Sequence, residues 1–131
     1  MRVATFNIES LDAPVAPRAG VLRPMLERLD ADIVCLQEVN AQHVPGSRDR
    51  VFAALDELMK GTRYEQFDRA ATHLTGRAGP ADVHNLVTLS RFPIRTSRQI
   101  LHDLVAPIET RLVTSAAAQT GEMPIKFDRP A

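Results

Sequence analysis

The stretch from Asp30 to Asn40, DADIVCLQEVN, constrains this chain more than any other. Ile33, Val34, Cys35 and Leu36 form a short continuous apolar run, the pattern of a strand buried on both faces. Gln37 and Glu38 follow at once. In open α/β folds, ligands bind beyond the carboxyl ends of the strands. A carboxylate there is either a solvated residue opening a loop or an oxygen ligand for a hard cation such as Mg²⁺, which keeps several of its waters.

The flanking sequence turns that strand into part of an α/β unit. Residues 2–8, RVATFNI, read as a first strand, with Val3, Thr5 and Asn7 on one face and Ala4, Phe6 and Ile8 on the other. Asn7 is a polar residue inside it, and a buried polar side chain in a strand needs a partner or a function. Val21, Leu22, Met25, Leu26 and Leu29 recur at helical spacing, so residues 19–29 form an amphipathic helix that becomes regular near Leu22, because Pro24 fits only a first turn. Residues 32–37 are the second strand. Strand, helix and strand make one parallel, right-handed βαβ unit.

Beyond it, Pro45 and Gly46 mark a connection and Ser47 a helix N-cap. Val51, Phe52, Leu55, Leu58 and Met59 give the stripe of a second helix, stopped by Gly61. Arg63–Phe67 reads as a short strand, residues 69–82 as a loop, and residues 83–90, VHNLVTLS, as a strand turned at Arg91–Ile94 into another near 95–104. Residues 106–121 read as loop. Residues 122–128 read as a last strand, with Pro124 holding its start at an edge or bulge.

Composition removes some function classes. Sixteen basic and sixteen acidic residues give a formal net charge of zero. Duplex binders that depend on phosphate attraction carry a basic excess, so nucleic acid is less favoured than a small phosphate ester. The single cysteine, Cys35, cannot form an internal disulfide and reads as a small core hydrophobe. The first strand starts at once, leaving no room for an apolar leader segment. No run approaches the ~20 apolar residues of a membrane span. The expectation is a soluble, cytoplasmic protein without membrane or disulfide partners.

Three phrases, ATFNI, ADIVCLQEV and TLSRFPI, in this order and spacing, resemble the endonuclease/exonuclease/phosphatase superfamily, the deoxyribonuclease I-like fold. The resemblance implies a metal-dependent hydrolase acting on phosphate esters, a nuclease, phosphodiesterase or phosphatase using Mg²⁺ or Mn²⁺. It places Asn7 and Glu38 in the active site, with Glu38 binding the metal and Asn7 beside it. It also matches Arg129, in FDRPA, to an arginine that reaches toward the phosphate. A guanidinium fork suits phosphate oxygens; the other reading is an exposed terminal residue. Arg91 in the third phrase reads as neutralising a turn. The family often has a polar residue near His84 and Asn85, an acid in some nucleases. His84 departs from that pattern, Asn85 matches it better, and a sheet-partner reading competes for both.

Members of that family run well beyond this length. Their second half brings a GD-x-N motif, an SDH-like segment and a further histidine. None of these occurs here, and His43, His73, His84 and His102 stand in other contexts. The expected fold is therefore an incomplete α/β sandwich: one mixed sheet with two flanking helices, lacking the second half. Residues 1–131 are expected to be the N-terminal portion of such a domain, inactive alone and with apolar sheet surface left bare. The competing reading is a non-catalytic α/β binding module or degenerate copy.

Overall fold

The computed structural model describes residues 1–74, 79–100, 109–111 and 124–126. The chain divides into two compact units, Met1–Gln99 and Ile100–Ala131. The first unit holds strands β1 (Val3–Leu11), β2 (Ile33–Val39), β3 (Gln42–His43), β4 (Arg50–Val51), β5 (Asp68–Ala71) and β6 (Asn85–Ser90), with helices α1 (Ala16–Leu29) and α2 (Ala53–Met59). In the second unit, β7 (Glu109–Arg111) and β8 (Pro124–Lys126) pair antiparallel.

The main sheet has the order β1-β2-β6-β5. β1 and β2 are parallel, as the βαβ reading required, and β6 runs antiparallel to both β2 and β5, so the sheet is mixed. The two expected helices are present. The pleat sends Ile8, Val34, Leu36, Val87 and Leu89 to one face, where they pack with Leu22 and Leu26 of α1 and Leu55, Leu58 and Met59 of α2. All of these lie within the first unit, and each is at most 7 % exposed.

The opposite face is different. Val3, Thr5 and Leu86 are exposed, and Ile33, Cys35 and Thr88 half-buried. β2 is thus buried on one face only, and Cys35 is not a fully buried core residue. The apolar run from Ile33 to Leu36 looks two-sided in sequence because Ile and Cys alternate with Val and Leu without a polar marker.

Several boundaries differ from the sequence reading. α1 starts at Ala16 and carries Pro24 in its interior. Pro24 removes one donor and leaves the Gly20 carbonyl without its helical partner; both residues are exposed, where that loss is least costly. Ser47 is not an N-cap: its hydroxyl donates to Asp49 in the β3–β4 turn. α2 starts at Ala53 instead, and its free Ala54 N–H is met by the distant Gln42 Oε1 at 2.8 Å. The segment 63–67 is turns around the buried Tyr64, and the strand comes one step later as β5, which runs from Asp68 into the expected loop. Residues 95–100 form no strand, residues 101–104 lie outside the described residues, and β7 falls within the expected loop 106–121. Among the described residues no helix is long and apolar enough to cross a membrane.

Candidate functional site

Two strands lose their pleat at the same level. In β1 the buried positions are Ile8 and then Leu11; in β2 they are Leu36 and then Val39. A regular strand buries every second residue, so each strand carries one extra residue there, and the pairing register shifts at both places. Glu9, Ser10 and Glu38 take left-handed backbone angles, with φ of 54°, 50° and 60°. His84, just before β6, does the same at φ 58°. These are four of the five non-glycine residues with positive φ among the described residues; the fifth, Asp30, ends α1. Left-handed backbone costs a non-glycine residue about 1 kcal/mol or more, and such residues concentrate at functional sites.

The irregularity turns Glu38 toward the side occupied by Asn7. Asn7 Nδ2 donates to Glu38 Oε1 at 2.9 Å, and Ser10 Oγ donates to Glu38 Oε2 at 3.5 Å. The Asn7 amide has a fixed sense. The backbone N–H of Glu9 donates to its Oδ1 at 2.8 Å, so the nitrogen must face Glu38. Arg18 of α1 holds the distorted end of β1, donating to the carbonyls of Ile8 and Glu9 at 2.5 and 2.9 Å.

The Asn7 amide is the main reason the Glu38 carboxyl lies below the usual carboxylate range. Partial desolvation opposes it, and the charge of His84 and the hydrogen bonds from Ser10 add to the lowering. Glu38 is therefore ionised at neutral pH.

His84 reaches the same place from a third segment. Its Nε2 lies 3.3 Å from Ser10 Oγ. Its backbone N–H donates to Asn40 Oδ1 at 3.0 Å, and Asn40 Nδ2 in turn donates to Asp12 Oδ2 at 3.4 Å. Asp12 also accepts from Gln42, whose other end caps α2.

The sequence candidates are thus distributed unevenly. Asn7 and Glu38 are in direct contact on adjacent strands. Asn85, the better match from sequence, is 1 % exposed. It is spent on structure, donating to the Val39 and Ala81 carbonyls and accepting from Ala81 N–H and the Thr72 hydroxyl. His84, not Asn85, faces the cluster. Arg91 pairs with Asp32 at 3.1 Å, at the other end of β2 from Glu38. Arg129 and His102 lie outside the described residues. Ser10 was not singled out from sequence; its signal was the apolar spacing Ile8–Leu11, repeated as Leu36–Val39.

The donors gathered here are a charged carboxylate, an amide and a hydroxyl, all hard oxygen chemistry, and they suit a hard divalent cation better than a soft one. Glu38 supplies the charge. The second lone pair of Asn7 Oδ1 remains for a cation or its water. Among the described residues no group of three or more His, Cys, Asp or Glu side chains converges to hold a metal ion. Mg²⁺ commonly keeps waters and takes substrate oxygens beside a single protein carboxylate.

A family model described as the Endonuclease/Exonuclease/phosphatase family matches residues 4–125 of the chain. No curated protein and no solved structure gives a match.

Proposed function

Because the chain belongs to the endonuclease/exonuclease/phosphatase family, whose members are phosphoesterases, we propose that residues 1–131 form the metal- and phosphate-anchoring side of a Mg²⁺-dependent phosphoesterase site. The observation that carries this reading is Glu38. An ionised carboxylate at the carboxyl end of β2 is held from both oxygens, by Asn7 and by Ser10. Two neutral donors orient it without cancelling its charge. Asn7 acts on the carboxylate as a fixed orienting group and keeps one lone pair free.

When bound, a divalent cation neutralises phosphate oxygens as charge builds during ester cleavage. The chain's own residues set where that happens. Glu38 fixes the position, Asn7 and Ser10 fix the rotamer of Glu38, and Arg18 fixes the backbone that carries Ser10. Arg129 is proposed as a hydrogen-bond donor to the phosphate because its position matches the family pattern. The zero net charge favours a small phosphate ester over long duplex nucleic acid.

With one anchoring carboxylate and neither a GD-x-N nor an SDH motif in these residues, the 131-residue chain is proposed to bind Mg²⁺ weakly and to turn over poorly by itself. Backbone NMR during a Mg²⁺ titration tests this. Saturable shifts confined to Asn7, Ser10, Glu38 and their neighbours are expected. Hydrolysis of a p-nitrophenyl phosphodiester should not exceed that by the metal alone. Absence of shifts at those residues would favour the binding-module reading, and hydrolysis that survives a chelator would contradict metal dependence.

A further inference from the structure

We propose that His84 and Ser10 form a phosphate-contacting edge of the site, with the His84 ring donating to a non-bridging oxygen of the phosphate ester. This rests on the phosphoesterase reading and adds Ser10, which the sequence pattern did not supply, and His84, which it ranked below Asn85.

The first support is geometric. Glu38, Ser10 and His84 come from three chain segments and form one hydrogen-bonded row, with steps of 3.5 and 3.3 Å. Ser10 has one hydroxyl proton. While it is given to Glu38, Ser10 can only accept from His84, so Nε2 carries the hydrogen. The ring thus presents a donor edge beside the carboxylate.

The second support is the backbone. His84 is exposed, so no core packing forces its left-handed angle. Its N–H is nevertheless clamped by Asn40, which is only 7 % exposed and is itself tied to Asp12. A strained backbone held this firmly under an exposed ring fixes the point from which the ring projects.

The third is electrostatic. A phosphate approaching Glu38 meets like charge. Arg18, the arginine bonded to this end of β1, spends its guanidinium on two backbone carbonyls. Asn7 directs its amide at Glu38. The imidazole and the rotatable Ser10 hydroxyl are the donors in the row able to turn to an incoming oxygen, and a charge-assisted bond is the strong kind.

The 131-residue chain labelled in its histidine rings, titrated with inorganic phosphate in the presence of Mg²⁺, tests this. Phosphate should move the His84 ring resonances and leave those of His43 and His73 in place. His84→Asn removes the ring but suits the left-handed backbone, because Asn populates that region readily. It should weaken phosphate binding roughly tenfold, the size of one charge-assisted hydrogen bond, and should not weaken the affinity for Mg²⁺ alone. Ser10→Ala should weaken phosphate as well. An unmoved His84 ring at high phosphate, or equal phosphate affinity in His84→Asn, overturns the proposal. In that case loss of Mg²⁺ binding in Glu38→Gln still upholds the phosphoesterase reading. If instead Glu38→Gln binds Mg²⁺ normally, that reading falls, and phosphate added without metal decides the His84 contact by the same ring shift.

Discussion

The hydroxyl of Tyr64 ties two backbone segments together from a position 1 % exposed. It donates to the Leu26 carbonyl at 2.9 Å and accepts from the Ala31 N–H at 3.1 Å, joining the end of α1 to the start of β2. Tyr64→Phe keeps the ring but leaves that N–H buried without a partner. A loss of about 1–3 kcal/mol in urea-measured stability is expected. Asp12 gives a pH signature. Its carboxyl is held below the ordinary carboxylate value first by the Gln42 amide and then by the Ala13 N–H, against the opposing effect of burial, with Asn40 and Arg50 adding less. A folded value below the unfolded one means that the unfolded state binds more protons in acid. The contribution of Asp12 is therefore present above the unfolded value near 3.9 and is lost as pH falls through the folded value. Urea midpoints should drop on going from pH 6 to pH 3, and Asp12→Asn should shrink that drop. An identical drop in the variant would remove Asp12 from the acid response. Neither role is legible in the sequence, because the partners of Tyr64 and the strongest partner of Asp12 lie far away in the chain.

At the scale of elements, what could be read depended on whether the pattern was local. β2, α1 and β6 carry their apolar periodicity in adjacent residues, and the sequence placed them within a few positions. β5 has little apolar signal in Asp68–Ala71 and exists because β6 offers it a partner. The N-terminus of α2 was misplaced because Gln42, eleven positions before Ala53, does the capping. The candidate site was half legible: Asn7 and Glu38 stand in recognisable phrases, whereas Ser10 and His84 join them only through backbone distortions that no glycine announces. Two substitutions check the helix and sheet descriptions. Gly20 lies inside α1 with open space where a Cβ would stand, so Gly20→Ala should stabilise by about 0.5–1 kcal/mol. Within β6, Leu89 is 1 % and Leu86 53 % exposed. Leu89→Ala should cost about 2–5 kcal/mol and Leu86→Thr no more than about 0.5 kcal/mol. Similar costs at the two positions, read from denaturant midpoints, would contradict the one-sided sheet.

At the scale of the molecule, the first unit has helices on one sheet face only, which agrees with a partial α/β domain. The other face is less apolar than expected from an uncovered core. Val3 and Leu86 are more than half exposed there, but Thr5, Gln37 and Thr88 stand among them. That composition tolerates water better than a continuous aliphatic surface does. The candidate site lies at one end of the same sheet, where two parallel strands lose their regular pleat together beside the start of an antiparallel one. Glu38, held by Asn7 and Ser10, is proposed to anchor a divalent cation. Electron paramagnetic resonance of free Mn²⁺ reads this directly in the wild-type chain and in Glu38→Gln, which changes charge but hardly changes shape. The wild-type chain should deplete the free-ion signal saturably, and the variant should need roughly tenfold more Mn²⁺ or beyond for the same depletion. Equal depletion by the two chains would contradict the assignment of Glu38.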